Sequence, residues 1–574
     1  MSYKAKYRDW LVSDYFDQET KNELQEIEDN EKEIEDRFYK DLEFGTGGMR
    51  GKIAAGTNRF NRYTVRRATQ GLANYVINYN NGGPEEGVVI AYDSHYGSPE
   101  FAREAALVLN GNGIKTYLFD ELRPTPELSF AVRELGASAG IVITASHNPA
   151  EYNGYKVYAS DGGQVVPSVA REITAEIEEI GDYSLINMMP EEKGRDRGLF
   201  QIIGDKIDRA YIEAIKNVLP QKELAREKGE DLKIVFTPLH GAANKPVRSL
   251  LTGLGFSGLE IVEEQAEPDS DFPTVESPNP EEYSAFAMAL EKAEQEEAEL
   301  ILGTDPDGDR LGIVVQDDTG EYIGLNGNEV GVLMADFLLN RLELPEKGVI
   351  IKTIVTTEMI HRLAEDFDVQ VMDVLTGFKF IGEKILEFED REEEFIMGFE
   401  ESYGYLVGTY ARDKDAVSAA GLLAIMALYY KENGSSLYRR LNELWEKYGY
   451  YREDLESIRR EGKDGQDQIE RTLKSLREDS PEEIAGKAVT VLSDYLKGKR
   501  VKIKEEEESE IALPSSNVLQ YRFEDDSVIT VRPSGTEPKI KIYFAVNGDS
   551  EAEAEAKMER LKNDFMQQVE ELLG

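Results

Sequence analysis

The chain contains 574 residues, with 66 basic and 112 acidic side chains, a formal net charge of −46, four histidines and no cysteine. This length is too great for one hydrophobic core and predicts about three to five domains. The charge argues against nucleic acid or an anionic membrane as a partner, and the lack of cysteine excludes disulfides and thiolate metal sites.

Much of the acidity lies outside any motif, for example in 505–508 and 260–269, and indicates a solvated surface. Adaptation to a salty cytoplasm and ordinary mesophilic acidity both explain such a surface. The first six residues lead into charged sequence without the apolar stretch of a signal peptide. The near-apolar run 416–430 is shorter than the ~20 residues of a bilayer span and predicts a buried helix, so we expect a cytoplasmic protein.

Residues 1–43 are predicted to form a helical arm. The segment is highly charged and carries an apolar stripe at Trp10, Leu11, Tyr15 and Phe16. Such a stripe is typical of helices that pack on a larger body.

A glycine-rich turn, FGTGGMRG at 44–51, follows the arm. It lacks the dinucleotide pattern G-x-G-x-x-G, because Arg50 stands where the last glycine would be. A turn that offers an arginine and backbone N–H groups suits a phosphate group. The alternative interpretation is an ordinary surface turn.

A coarse repeat organises residues 88 to 404. In each copy a β-rich segment ends in a polar turn, and helices and strands then alternate up to a loop of unusual composition. Strands separated by helices predict parallel βαβ units. We therefore expect an α/β protein with three similar mixed α/β domains, mainly parallel sheets, and loops that face a central cleft. The opening and closing strands of the copies lie at 88–93 and 141–143, 233–237 and 300–303, and 349–353 and 395–397.

The chain after residue 446 has a different pattern. The charged segment 448–496 is predicted to be a mostly helical connection, and the short alternating strands beyond it predict a small α+β domain that ends in a helix. The predicted divisions of the chain are 1–43, 44–205, 206–318, 319–445 and 446–574.

The closing loop of the first repeat is Thr-Ala-Ser-His-Asn-Pro at 144–149, directly after the buried strand 140–143. Asn148 precedes a proline, so the backbone there avoids the α region and no helix starts. Ser146 is thus predicted to lie on a stiff loop at the carboxyl end of a strand, where open α/β sheets carry their chemistry. An ordinary polar turn is the alternative.

The closing loop of the second repeat places Asp305, Asp307 and Asp309 at alternate positions. On a compact loop these carboxylates converge on one hard cation. A calcium loop requires glycine at its sixth position and glutamate at its twelfth, where this chain has Arg310 and Gln316. The pattern therefore favours Mg²⁺ with coordination room left for a phosphate oxygen.

Two further loops carry candidate binding residues. In GFEESYG at 398–404, Glu400 and Ser402 are expected to point the same way from an extended loop and to hold neighbouring hydroxyl groups. In RPSGT at 532–536, a fixed guanidinium fork, two hydroxyls and a glycine suit recognition of a phosphate monoester.

Together these loops resemble those of the α-D-phosphohexomutases, the group that contains phosphoglucomutases and phosphomannomutases. TASHNP with a lysine ten residues beyond its serine is similar to the family's phosphoserine loop, and the resemblance extends over about residues 44 to 546. It implies catalytic roles for Ser146, His147, Lys156 and Arg50, and a metal site at Ser146, Asp305, Asp307 and Asp309. The substrate-binding residues that it implies are Thr46, Arg310, Thr376, Gly377, Glu400, Ser402, Lys414, Arg532, Ser534, Gly535 and Thr536.

The resemblance implies that Ser146 carries a phosphate and that glucose 1-phosphate and glucose 6-phosphate interconvert through glucose 1,6-bisphosphate, with Mg²⁺. The loop at 398–404 resembles the family's sugar loop, which a histidine follows in the mannose-type pattern, and this chain lacks that histidine. The segment 412–415 resembles the corresponding segment of glucose-preferring members. FGTGGMRG and RPSGTEPKIK resemble the branch that holds bacterial α-phosphoglucomutases and phosphopentomutase-like enzymes. Pentose and mannose phosphates therefore remain alternative substrates.

Two other functional classes compete with an isomerase. A phosphatase would use a phosphoserine and a metal for hydrolysis, which a cleft closed by four domains disfavours because it excludes water. A non-catalytic sugar-phosphate binding protein would need neither the serine nor the intact aspartate triad. The expected partners are small sugar phosphates, and the expected state is a monomer or a weak homo-oligomer.

Overall fold

A computed structural model of the chain describes residues 2–45, 47–79, 83, 85–460, 462–533 and 539–573. The N-terminal arm consists of α1 (Tyr3–Val12), α2 (Gln18–Glu26) and α3 (Glu31–Phe38). The side chains of Ser2, Asp17 and Asn30 accept hydrogen bonds from the first turns of these helices and fix their starts. Trp10 stacks on Phe16 with ring centroids 4.2 Å apart, so the predicted apolar stripe forms the arm's core.

The first α/β domain contains a six-stranded sheet in the order β1-β5-β4-β2-β3-β6. Strands β4, β2, β3 and β6 are parallel neighbours, whereas β5 and β1 add antiparallel to the edge at β4. Its elements are β1 (Gly48–Lys52), α4 (Arg62–Tyr79), β2 (Val88–Tyr92), α5 (Ser98–Gly111), β3 (Thr116–Phe119), α6 (Thr125–Leu135), β4 (Ala139–Ile143), β5 (Tyr152–Ala159), α7 (Pro167–Glu178), α8 (Glu191–Asp196) and β6 (Phe200–Ile203).

The second α/β domain repeats the plan with five strands in the order β11-β10-β9-β7-β8. The pairs of β7 with β8 and β9 are parallel, and the β9-β10-β11 edge is antiparallel. The predicted division at 318 precedes β11, which pairs with β10, so this sheet continues to Leu325. The elements are α9 (Asp205–Val218), α10 (Lys222–Lys228), β7 (Ile234–Thr237), α11 (Asn244–Leu254), β8 (Leu259–Ile261), α12 (Ala287–Glu296), β9 (Leu300–Thr304), β10 (Leu311–Gln316) and β11 (Tyr322–Leu325).

The third α/β domain has four strands in the order β13-β12-β14-β15, with β15 antiparallel to β14. Its run 416–430 lies in a helix that is buried along most of its length, in agreement with the sequence-based prediction. The elements are α13 (Gly327–Arg341), β12 (Gly348–Thr353), α14 (Met359–Glu365), β13 (Gln370–Val374), α15 (Phe378–Phe388), β14 (Glu394–Glu400), β15 (Gly404–Val407), α16 (Ala416–Glu432) and α17 (Leu437–Tyr448).

The C-terminal domain is an antiparallel sheet in the order β16-β23-β22-β21-β18-β19-β20, with β17 paired to β18. The predicted α+β character is correct, but the mostly helical connection at 448–496 is wrong. Residues 450–459 form a strand because all ten of them pair with β23, and this tertiary pairing overrides their polar composition. The elements are β16 (Tyr450–Arg459), α18 (Gly462–Glu478), β17 (Glu483–Ile484), β18 (Lys487–Asp494), β19 (Lys499–Lys502), β20 (Glu507–Glu510), β21 (Leu519–Phe523), β22 (Val528–Pro533), β23 (Lys539–Gly548) and α19 (Glu551–Leu573).

The described residues form several hydrophobic cores, one of which is confined to the first domain, from Phe44 to Phe200. The largest core runs through all three α/β domains, from Val89 to Trp445. The C-terminal domain has a core of its own, formed by its sheet with α18 and α19. A further cluster joins Ile351 and Phe378 of the third domain to Tyr495 and Tyr543 of the C-terminal one. Among the described residues no helix is both long and apolar enough to cross a membrane.

Candidate active site

The loop after β4 presents Ser146 in a strained conformation. Its backbone has a φ of 58°, which residues with a Cβ rarely adopt, and its side chain is buried. The Ser146 N–H donates to Thr144 Oγ1 at 2.7 Å, and Ser146 Oγ donates to Asp305 Oδ2 at 3.1 Å. The serine of the first domain therefore meets the acidic loop of the second domain directly.

The acidic loop after β9 gathers three buried carboxylates. Candidate ligand oxygens of Asp305, Asp307 and Asp309 all lie within 4.8 Å of one another. The backbone N–H groups of Asp309 and Arg310 donate to Asp305 Oδ1, which folds the loop around this carboxylate. Asp307 Oδ1 and Asp309 Oδ1 are buried without a hydrogen-bond partner in the described part of the chain. Buried acceptors in this state fit a divalent cation with oxygen ligands.

Two lysines neutralise the carboxylates. Lys156 Nζ lies 2.7 Å from Asp307 Oδ2 and 3.3 Å from Asp309 Oδ2, and Lys414 Nζ lies 2.8 Å from Asp309 Oδ2. Burial alone would lower the pKa of Lys156, but the carboxylates of Asp307 and Asp309 outweigh burial and raise it. These carboxylates therefore favour the ammonium form of Lys156.

His147 is the neutral proton acceptor closest to the serine. Its Nδ1 lies 3.3 Å from Ser146 Oγ. Desolvation in the cleft, together with the cations Arg310 and Arg50, holds the pKa of His147 well below its usual range. The resemblance implies catalytic roles for both Lys156 and His147, and of the two the neutral ring of His147 is the better suited to accept a proton.

Strand β1 brings the glycine-rich turn to the serine. Arg50 Nη1 donates to Asn148 Oδ1 at 2.9 Å, and Arg50 stands opposite Gly154 of β5. A Cβ at Gly154 would meet the Thr144 carbonyl oxygen at 2.5 Å, so only glycine permits this close packing. Thr46, which the resemblance also assigns to the site, lies outside the described residues.

The sugar loop differs from the expected extended geometry. Glu400 is the last residue of β14 and pairs with Gly404, so Ser402 lies in the turn of a tight hairpin. The prediction of an extended loop is therefore wrong, because residues 401–403 form the turn of this hairpin. Tyr403 has a φ of 62°, which closes this turn.

Glu400 faces the turn at Thr376 and Gly377, two residues to which the resemblance assigns substrate binding. The Gly377 N–H donates to Glu400 Oε1 at 2.8 Å. Burial raises the pKa of Glu400 to about 7, while Lys414 opposes this increase. Thr376 Oγ1 is buried without a hydrogen-bond partner among the described side chains and backbone. These groups are suited to hydroxyl groups of a bound sugar.

Arg310 lies between the acidic loop and the sugar loop. It forms an ion pair with Glu281, and the carboxylates of Asp309, Asp305 and Glu400 also act on it. The sequence predicted that Arg310 turns toward the substrate and gave no partner. Glu281 was missed because it stands in an acidic loop without a recognisable motif.

The C-terminal domain contributes Arg532 at the end of β22. Its Nη2 and Nε lie 3.1 Å and 3.3 Å from the hydroxyl oxygen of Tyr543. Ser534, Gly535 and Thr536, the other predicted members of this loop, lie outside the described residues.

Lys541 is a second cation on the C-terminal sheet, and sequence analysis missed it. It is the direct cross-strand neighbour of Arg532. Desolvation and the charge of Arg532 lower the pKa of Lys541. No hydrogen bond or ion pair joins its side chain to the described residues, and two adjacent cations in this state attract an anion. The alternation KIKIY on β23 was the signal, since it places Lys541 on the face of Tyr543.

Thr125 is another missed residue. At the start of α6 its hydroxyl donates to Asp307 Oδ2 at 2.8 Å and its N–H donates to the Asp307 carbonyl oxygen at 2.8 Å. A helix of the first domain thus fixes the acidic loop of the second. The Thr-Pro pair at the helix start was visible in the sequence, but its partner was not.

Comparison with known families gives matches along most of the chain. Four sequence models match it, each described as phosphoglucomutase/phosphomannomutase. The three alpha/beta/alpha domains I, II and III match residues 41–184, 209–320 and 326–448, and the C-terminal domain matches 483–563.

Curated relatives match over nearly their whole length. The phosphoglucomutase of Staphylococcus haemolyticus is 38% identical over 553 residues, which are 96% of this chain and 96% of that protein. The phosphoglucomutase of Staphylococcus aureus strain MRSA252 is 38% identical over 520 residues, or 90% of this chain and 92% of that protein.

Solved structures resemble this fold at lower identity. A putative phosphomannomutase from Thermus thermophilus superimposes with a TM-score of 0.69 at 23% identity, covering 92% of this chain and 99% of that one. The open form of pp63/parafusin from Paramecium, named a phosphoglucomutase, gives 0.69 at 17% identity, covering 93% and 95%. Both likenesses concern the fold.

Proposed function

The chain belongs to the phosphoglucomutase/phosphomannomutase family, the α-D-phosphohexomutases, and from this premise we propose that it interconverts α-D-glucose 1-phosphate and glucose 6-phosphate. It is an isomerase that works by intramolecular phosphoryl transfer. The observation that carries the proposal is the contact of 3.1 Å between Ser146 Oγ and Asp305 Oδ2, since it joins a nucleophile to a cation-binding loop.

In the proposed reaction Ser146 carries a phosphoryl group in the resting enzyme. This group passes from Ser146 Oγ to the free hydroxyl of the sugar phosphate and gives glucose 1,6-bisphosphate. The bisphosphate then reorients in the cleft so that its other phosphoryl group faces Ser146. Ser146 Oγ takes this second phosphoryl group. His147 accepts the proton of the attacking hydroxyl and returns it to the oxygen that leaves, because its neutral ring faces the serine.

The cation proposed for the acidic loop is Mg²⁺, held by Asp305, Asp307 and Asp309 beside Ser146. When bound, Mg²⁺ neutralises charge on the phosphoryl group in transfer. Lys156 and Lys414 already direct ammonium groups at the same carboxylates. Arg50 and Lys156 add further positive charge on the side of the first domain.

The remaining residues are proposed to hold the sugar and the phosphate that does not react. Glu400 and Lys414 are proposed to contact the sugar. Arg532 and its cross-strand neighbour Lys541 are proposed to bind the phosphate that does not react. The other proposed contacts are Thr46, Arg310, Thr376, Gly377, Ser402, Ser534, Gly535 and Thr536.

The test compares substrates under one concentration of glucose 1,6-bisphosphate. We expect the largest kcat/KM with glucose 1-phosphate, since the curated relatives named above are phosphoglucomutases. Mannose 1-phosphate differs in one hydroxyl and is expected to lose about tenfold to a hundredfold. A tenfold preference for ribose 1-phosphate would instead make this enzyme a phosphopentomutase.

The same assay separates the other functional classes. Release of inorganic phosphate without isomer formation would identify a phosphatase, and binding without either product would identify a binding protein. Small sugar phosphates are the proposed partners. Cytoplasmic location and a monomeric or weakly oligomeric state are further parts of the proposal, supported by composition and testable by fractionation and by light scattering.

A further inference from the structure

The turn that carries Ser146 needs an external support. A φ of 58° at a residue with a Cβ is strained and persists only where the surroundings fix it. The turn contains two hydrogen bonds of its own around the serine, from the Ser146 N–H to Thr144 Oγ1 and from the Asn148 N–H to the Ala145 carbonyl oxygen at 3.2 Å. What holds Thr144 on one side and Asn148 on the other therefore decides where Ser146 Oγ points.

Asp93, which follows β2, holds Thr144 on the first side of the Ser146 turn. Its Oδ2 accepts a hydrogen bond from Thr144 Oγ1 at 2.5 Å, and its Oδ1 accepts from Ser98 Oγ at 3.0 Å and from the His95 N–H at 2.9 Å. The carboxylate is buried. Because Thr144 Oγ1 gives its proton to Asp93, its lone pairs are left to accept the Ser146 N–H.

His95 holds the other side. Its Nδ1 lies 2.7 Å from Asp93 Oδ2, and its Nε2 lies 3.0 Å from the carbonyl oxygen of Asn148. A carboxylate and a carbonyl oxygen only accept, so both ring nitrogens must donate, and the ring must be an imidazolium. Burial alone would lower the pKa of His95, but Asp93 and the Asn148 carbonyl outweigh it and raise that pKa.

The surroundings of the His95 ring favour a permanent positive charge on it. Phe272 of the second domain packs edge-on against His95, with ring centroids 5.0 Å apart, and shields the pair from water. The titratable groups that act on the ring are Asp93 on its own loop and Asp307 on the acidic loop. Both are carboxylates and both favour the imidazolium.

We propose that Asp93 and His95 are positioning residues that hold the Ser146 turn from both sides, with His95 as an imidazolium bound to the Asn148 carbonyl. Neither residue touches the substrate in this scheme. The inference rests on the proposed function, because it gives the pair a role in aiming Ser146 Oγ at the transferring group. It predicts a loss in kcat with little change in KM.

The first experiment measures kcat and KM for His95→Gln and Asp93→Asn, with His361→Gln as the control. His361 is partly exposed in the third domain and touches no group of the Ser146 turn. We expect each positioning variant to lose about a hundredfold in kcat, the cost of a displacement of about 1 Å, with KM changed less than threefold. The control keeps wild-type constants. Wild-type kcat in either positioning variant would overturn the proposal.

A second measurement does not depend on activity or on a folded variant. Histidine labelled with ¹⁵N in the wild-type protein gives signals from only four side chains, and a pair that stays fixed from pH 6 to 8 at the shifts of an imidazolium identifies His95, because the fixed signals of His147 are those of a neutral ring. Two protonated ring nitrogens at pH 7 are expected, and a neutral tautomer would overturn the proposal. If wild-type protein isomerises no hexose phosphate, the proposed function fails, while the ring signals still decide whether the imidazolium exists.

Discussion

The two ends of the cleft are built differently. At the Ser146 end, residues from the first and second domains interlock: Thr125 binds Asp307, Ser146 binds Asp305, and a common hydrophobic core lies behind them. At the Arg532 end, the proposed binding residues stand on a domain with its own core. Phosphoryl transfer needs fixed distances between the reacting atoms, whereas the Arg532 end must bind either phosphate of the bisphosphate. The difference therefore matches the two tasks of a mutase.

The largest expected effect comes from removal of the nucleophile at the Ser146 end of the cleft. We expect Ser146→Ala to lose at least about 10³-fold in kcat, because the proposed carrier of the phosphoryl group is lost. The melting temperature is expected to change by only a few degrees, since the hydroxyl is small. Steady-state kinetics and mass spectrometry of the resting enzyme measure both points. An alanine variant that keeps most of the activity would exclude a phosphoserine.

Loss of one carboxylate of the acidic loop is expected to have the next largest effect. Asp307→Asn should lower kcat about 10²- to 10³-fold, since the group acts on charge that develops in the transition state. Treatment with EDTA should abolish activity, and Mg²⁺ should restore it. Asp318→Asn, an exposed carboxylate on the same domain, is the matched control. Full activity after exhaustive chelation would contradict this prediction.

At the distal end, a smaller loss should appear in KM and not in kcat. Lys541→Met keeps the aliphatic length of the side chain but removes its charge beside Arg532. We expect KM to rise about tenfold to a hundredfold for both sugar phosphates, as one charge-assisted hydrogen bond is worth ~1.5–3 kcal/mol. Lys539→Met on the same strand is the comparison variant. A fall in kcat at unchanged KM would mean that Lys541 acts in the chemical step.

The smallest expected effect is a pH dependence at the sugar loop. Because burial raises the pKa of Glu400 to about 7, its carboxylate gains a proton as the pH falls through 7 and loses acceptor sites for sugar hydroxyls. We expect kcat/KM to fall about tenfold from pH 8 to pH 6. Glu400→Gln should lower kcat/KM and remove this limb of the profile. An identical limb in the variant would assign the titration to another group.

Sequence analysis predicted those features that depend on local patterns. The strand before Ser146, the alternation of the aspartates and the three-domain repeat are all local, and the structure contains each of them. The strand at 450–459 was predicted as helix because only its partner β23 makes it extended. Sequence analysis missed three residues of the site for a related reason. Each of them contacts a residue distant in sequence, and no sequence spacing encodes such a contact. They are Asp93, Thr125 and Glu281.

The separate core of the C-terminal domain has a consequence for how the molecule opens. Because one core links the three α/β domains, although the first domain also has a core of its own, we expect these domains to open together and the C-terminal domain to open separately. The C-terminal unit is attached through a smaller cluster that includes Tyr495 and Tyr543. Amide hydrogens of its sheet should therefore exchange through a local opening that leaves the Ser146 turn protected. A bound sugar phosphate spans both units and should slow this exchange, which makes amide protection of the C-terminal sheet a direct measure of cleft closure.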